Sequence, residues 1–198
     1  MTRIALLRHF PTDWNGERRL QGRIDRPLTE ASRARLATLA LPAPWDTADL
    51  VASTLARAGE TAALLAAAHG RPPEAVRRDD RLVEVSWGDW EGRAIETMPV
   101  DPATGRLAPY ALGWEDHPPN GESLGDALAR VRPALAALDE PTVVVTHKAL
   151  MRAVLREAHG HRPDIGEIEI KRGRLYPLTI GPGGTACDPE PAARLVAR

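Results

Sequence analysis

Residues 142–147, TVVVTH, set β-forming residues in succession directly behind Pro141, and the helix-compatible stretch KALMRAVLREAHG follows without a break. An apolar run without alternation fits a strand covered on both faces, because a strand with one wet face alternates in character. RIALLRH at 3–9 is a second run of this kind and ADLVAS at 48–53 a third, the latter followed by the Ala-rich TLARAGETAALLAAAHG that Gly70 closes. Doubly covered strands alternating with helices restrict the chain to the α/β class. The expected architecture is a three-layer sandwich with a mainly parallel central sheet flanked by helices.

The remaining stretches fit that frame. Thr29 offers an N-cap to a helix over 31–40, which Pro42 and Pro44 end. A further helix is expected from Ser123 to Asp139, with Ser123 or Asn120 near its start. EAVRRDDRLVEV supplies one short strand and a turn. IGEIEI and LYPLTI read as two edge strands of a hairpin around KRGR, and residues 181–198 as a loose tail. Residues 10–28 form a long polar loop, a length that usually carries function. The chain reads as a single domain, 1–198, with a loop-rich insertion at about 86–122 over the active site.

In parallel α/β sheets, ligands bind just beyond the carboxyl ends of the strands. The first strand ends at Arg8-His9 and the best strand at Thr146-His147. The second ends at Ala52-Ser53, with Arg57 one helical turn further on. Two arginines and two histidines therefore reach one rim of the sheet. A lone arginine there caps carbonyls and a lone histidine is usually a satisfied structural residue, but four such groups together suit an anion. Guanidinium forks match phosphate oxygens, helix N-termini add donors, and a histidine can either donate a hydrogen bond or attack phosphorus.

Composition narrows the classes. Lys and Arg total 26 against 27 Asp and Glu, which gives nonspecific nucleic-acid binding no support. No run approaches membrane-spanning length. The single cysteine, Cys187, excludes an internal disulfide and any CxxC site. A soluble, cytoplasmic protein is expected, acting on a small phosphorylated substrate as a monomer or homodimer. No acidic cluster has metal-ligand spacing, so neither metal nor cofactor is expected.

The LLRHFPTDWN stretch resembles the LxRHGxTxxN signature of the histidine phosphatase superfamily, phosphoglycerate-mutase-like branch. The resemblance continues in order through LQGRIDRPLTE, ASTLARAGETA, LVEVSWGDWEG, PNGESL and VVVTHKALMR. It implies that His9 is the nucleophile, forming a phosphohistidine, with Arg8 and Arg57 clamping phosphoryl oxygens and His147 bonding the same group. Asn15 would add a neutral donor, Gln21 and Gly22 would line the phosphate side of the entrance, and Thr12 would touch phosphate or its own loop. Glu84 would protonate the leaving alcohol, a group the chemistry also requires independently. Its rivals are a surface role for Glu84 beside Arg81, and Glu91 in the same stretch.

Two positions depart from the pattern. Phe10 replaces the usual glycine, as an aromatic wall beside the nucleophile or as packing under the loop. Lys148 follows His147, reaching either a second charged group of the substrate or solvent. Trp14 and Trp114, with Phe10 and Tyr110, are candidates for an apolar mouth, and Trp90 for packing. The expected activity is phosphomonoester hydrolysis. A mutase and a noncatalytic phospho-ligand module are the alternatives. Mutases of this kind are generally longer between the acid and the second histidine, and a binding module would be expected to lose His9 or Glu84.

Overall fold

The computed structural model describes residues 1–160, 169–181, 184–187 and 193–198. Its elements open with β1 (Thr2–Arg8), α1 (Asp13–Gly16), α2 (Glu30–Leu36), β2 (Leu39–Ala40), β3 (Asp49–Ser53), α3 (Ala56–Ala68) and β4 (Arg77–Asp79). They continue through α4 (Ala108–Ala111), α5 (Leu124–Ala136), β5 (Thr142–Thr146), α6 (Lys148–Ala158), β6 (Arg174–Gly181), β7 (Gly184–Cys187), β8 (Ala193–Arg194) and β9 (Val196–Ala197).

The main sheet runs β4-β3-β5-β1-β6-β7, with β8 also paired to β6. β4, β3, β5 and β1 are mutually parallel, and β6 and β7 extend the sheet antiparallel. Alternate residues of each central strand enter opposite cores, as the pleat requires. Ile4, Leu6, Val51 and Val144 pack with Leu128 and Val131 of α5 and Leu150, Met151 and Val154 of α6. Ala5, Leu7, Leu50 and Val143 pack instead with Leu36 of α2 and with Ala58, Ala62 and Leu65 of α3. Both faces are therefore dry, which is why these strands are written as unbroken apolar runs. Burying each such Leu or Val contributes about 2 kcal/mol.

The caps sit where the sequence puts them. The Thr29 hydroxyl accepts from the Ser32 amide at 3.1 Å, and Ser123 and Asp126 form a reciprocal box at the start of α5. Three expectations are corrected. The helix expected over 31–40 ends at Leu36, because Leu39 and Ala40 give their backbone bonds to β9. LYPLTI is not an edge strand, since β6 lies between β1 and β7. Its hairpin partner is β7, and the 181–198 segment supplies β7, β8 and β9. Of the other expected arm, 165–168 lies outside the described residues, while Glu169 and Ile170 have no strand pairing.

Candidate active site

The β1 ladder continues one residue beyond the strand, where the His9 amide donates to the Thr146 carbonyl at 2.9 Å. This fixes His9 at the carboxyl edge of the sheet, beside β5. Its Nδ1 lies 2.7 Å from the Phe10 carbonyl. A carbonyl only accepts, so Nδ1 carries the proton and Nε2 keeps its lone pair. Burial first, then the charge of Arg57, holds His9 well below the ordinary histidine value of 6.5. The imidazole is neutral at neutral pH. Arg8 is lowered to about 10 by burial and then by the charge of Arg172, and stays a cation.

His147 and Arg57 stand one row back. The rings of His9 and His147 are tilted, with centroids 5.2 Å apart. Arg57 Nε donates to His147 Nδ1 at 3.2 Å, which makes His147 Nε2 the protonated nitrogen, donating to the Ser53 hydroxyl at 2.8 Å. His147 too is held well below 6.5, by burial and then by Arg57. The other Arg57 donors go to the carbonyls of Gly22 (2.6 Å) and Ile24 (3.2 Å) and to Asp25 (3.3 Å). Of its five N–H groups one is left uncommitted. Asp25 also accepts the Ala56 amide at 2.5 Å, tying the start of α3 to the same loop.

Glu84 is buried, and its carboxylate is aligned by amides. Ala149 (3.2 Å) and Leu150 (3.0 Å) at the start of α6, and Val85 (3.0 Å), all donate to it. Its charge acts on both Arg8 and Arg57. Arg81 pairs with Asp79 instead, so the surface-pair reading of Glu84 does not hold. Glu91, the rival acid, is a loop fastener. It accepts from the amides of Arg23 (2.8 Å), Ile24 (2.7 Å) and Trp87 (3.2 Å).

The long loop presents its polar residues in the same way. Asn15 Oδ1 accepts from the Thr12 amide at 3.0 Å, and the Thr12 hydroxyl donates to Gln21 Oε1 at 2.9 Å. Gln21 Nε2 is buried with no hydrogen-bond partner. Gly22 is buried against Glu91, whose carboxylate a Cβ would overlap. Arg18 has φ 54°, a left-handed conformation that side chains disfavour.

A cavity of about 610 Å³ opens over His9. Of the expected site residues, Arg8, His9, Asn15, Gln21, Glu84 and Lys148 line it. Thr12, Gly22, Arg57 and His147 lie behind, Thr12 and Arg57 bonded to the loop at Gln21 and Gly22 and His147 beside the His9 ring. Tyr110, Arg106 and Trp87 bring the 86–122 segment to the wall. The expected aromatic mouth needs correction. Trp14 stacks under Arg26 and Trp114 under Arg156, while Phe10 is buried in the α2–α3 core. Phe10 does not have a positive φ, so nothing in its backbone demands glycine. Its amide donates to the Thr61 hydroxyl at 3.1 Å. It packs under the loop. Glu91, Asp25 and Arg172 were not singled out from the sequence for these roles. The only signal was Gly22, a glycine where another chain segment approaches closely.

The family model described as histidine phosphatase superfamily (branch 1) matches residues 4–188. A glucosyl-3-phosphoglycerate phosphatase of Mycobacterium tuberculosis is 34% identical over 167 residues, covering 77% of this chain and 73% of that protein. A probable phosphoglycerate mutase of Enterobacter sp. (strain 638) is 35% identical over 138 residues, 69% of this chain and 62% of that protein. Among solved structures, a mycobacterial glucosyl-3-phosphoglycerate phosphatase complexed with VO3 superposes with a TM-score of 0.72. It is 30% identical and covers 89% of this chain and 92% of its own. The strand-end histidines, the ordered motifs and these similarities agree: the chain belongs to branch 1 of the histidine phosphatase superfamily.

Proposed function

We propose that this protein is a phosphomonoesterase that hydrolyses a small phosphorylated metabolite through a phosphohistidine on His9. The observation that carries the reading is the state of His9: neutral, with Nδ1–H donated to the Phe10 carbonyl, and therefore with Nε2 as its nucleophilic atom. Nε2 attacks phosphorus while Arg8 gathers the phosphoryl oxygens. Arg57 offers its one uncommitted N–H, and His147 reaches the group by exchanging its Ser53 bond. As the P–O bond breaks, the Glu84 carboxyl, which enters the cycle carrying a proton, passes it to the departing oxygen. Water then attacks the phosphohistidine, Glu84 takes its proton, and phosphate leaves with His9 restored. Asn15, Gln21 and Lys148, on the cavity wall, complete the polar rim, with Thr12 and Gly22 holding the loop behind it.

The test is phosphate release from 4-nitrophenyl phosphate in excess chelator, with wild type and His9→Ala. Wild-type turnover should survive the chelator, and the variant should lose about 10⁴-fold or more. Acid-labile phosphate on His9, trapped by rapid quench, should appear in wild type alone. Activity retained by His9→Ala overturns the mechanism, and phosphoryl delivery to an added hydroxyl compound in preference to water indicates a mutase.

A further inference from the structure

Arg172 belongs to the KRGR stretch that the functional reading leaves unused. It sits on a turn secured from three sides. The Lys171 amide donates to the Tyr176 hydroxyl at 2.7 Å, and that hydroxyl donates to the Glu169 carbonyl at 3.0 Å. Gly173 has φ 68°, the left-handed geometry glycine permits, and its carbonyl accepts from the Leu195 amide at 2.9 Å. The Phe10 ring lies 3.9 Å from where a Gly173 Cβ would stand. Phe10 therefore supports two things at once, the nucleophile through its carbonyl and this turn through its ring.

The side chain on that turn reaches the cavity that holds Arg8 and His9. Its Nε is buried without a hydrogen-bond partner, and so is Nε of Arg8. Its charge acts on both Arg8 and His9. Burial lowers Arg172 itself. A cation taken out of water needs a counter-charge, and two neighbouring cations need it more. A phosphoryl group presents several oxygens, yet Arg57 has one N–H left to give. A second guanidinium beside Arg8 would supply the donors that Arg57 has already committed.

We propose that Arg172 is a third arginine of the phosphoryl site, carried by the 171–173 turn and donating to phosphoryl oxygens alongside Arg8. The proposal rests on the reading that the phosphoryl group binds at His9. It makes Arg172 a catalytic residue, and it gives Phe10 the task of holding the turn that presents it.

Calorimetric binding of inorganic phosphate tests this, with wild type, Arg172→Gln and Arg172→Lys, repeated in a His9→Ala background to separate binding from turnover. Arg172→Gln should weaken phosphate about tenfold or more, with Arg172→Lys intermediate. The lysine variant also serves if the glutamine variant fails to fold. Thermal melting separates this role from a structural one. Without phosphate, Arg172→Gln should melt no lower than wild type, and the rise in Tm on adding phosphate should shrink. Phosphate affinity within about twofold of wild type overturns the proposal. So does a lower melting point without phosphate together with an undiminished phosphate-induced rise. Wild type that binds no phosphate removes both this proposal and the site reading. Weakened phosphate binding without any trapped phosphohistidine supports the third arginine and rejects the covalent reaction alone.

Discussion

The phosphoryl seat and the entrance are built in opposite ways. In the seat, His9, Arg57, Glu84 and His147 are all buried: His9 donates its amide to Thr146 of β5, His147 accepts from Arg57 of α3, Glu84 accepts from the first amides of α6, and Arg57 is held in turn by the carbonyls of Gly22 and Ile24. The entrance, from Ser86 to Glu122, has isolated helical turns at 88–90 and 95–97 and the four-residue α4. Apart from Pro109, its residues on the cavity wall, such as Arg106 and Tyr110, are exposed or half-buried. A group that must act on one phosphorus atom needs fixed geometry, and regular elements supply it. A wall that meets the variable part of a substrate can rest on loops, which tolerate change. Chemistry and specificity are thus assigned to different kinds of structure.

Removing the acid should expose the rigidity of the seat most sharply. Glu84→Gln should slow hydrolysis of an alkyl phosphate about 10³-fold, but that of 4-nitrophenyl phosphate only about tenfold, because nitrophenolate departs without a proton. Equal losses on both substrates, measured as kcat/KM, which reports phosphoryl transfer and not the later water attack that both substrates share, would mean that Glu84 only positions.

Glu91→Ala probes the seam between the two regions, since its carboxylate gathers amides from both Arg23–Ile24 and Trp87. A loss of about 2 kcal/mol in denaturant unfolding is expected, with KM raised as the loop through Arg23 and Ile24 loses its fastening. An unchanged KM would detach the loop from the seat.

A smaller effect follows from the buried histidines. Because His9 and His147 are held below 6.5, the folded protein binds fewer protons than the unfolded chain in the window beneath that value. Stability is therefore full above 6.5 and declines as pH falls through the window. The melting temperature should drop between about pH 7.5 and about pH 5, less steeply in His147→Gln. A flat profile would contradict the neutral state assigned to both rings.

Tyr110→Ala should matter least to the chemistry. Its kcat on 4-nitrophenyl phosphate should stay within about twofold of wild type, while the ranking of larger substrates shifts. A large loss of kcat would mean that the entrance also orders the seat.

His9 and His147 were legible because they end strands whose apolar runs announce themselves, whereas Glu84 stands in a loop and was picked out by the family resemblance. Arg8-His9, Ser53 and Thr146-His147 need only the rule that such ends face the ligand. Thr29 and Ser123 were legible as caps for the same local reason. The tail was not, since GTAC, AR and VA pair through backbone atoms and carry little periodic pattern. Nor could residue type show which aromatics reach the cavity. Phe10, Trp14 and Trp114 all turn to other partners, and only the packed chain reveals it. Arg172 stayed hidden because its value depends on a turn whose neighbours include Phe10 and Leu195, both far from it in sequence.

The central place of β1 has a consequence for synthesis. Thr2–Arg8 leave the ribosome well before both their sheet neighbours, β5 and β6, which are encoded more than a hundred residues later. At roughly 5–20 residues per second, the nascent chain carries its reactive histidine for several seconds or more before His147 and Arg172 emerge. Throughout that interval RIALLR is an unpaired apolar segment. The chain's exposure to mispairing is therefore greatest at the strand that leads into His9, and that histidine gains its buried state only once β5 and α6 have followed.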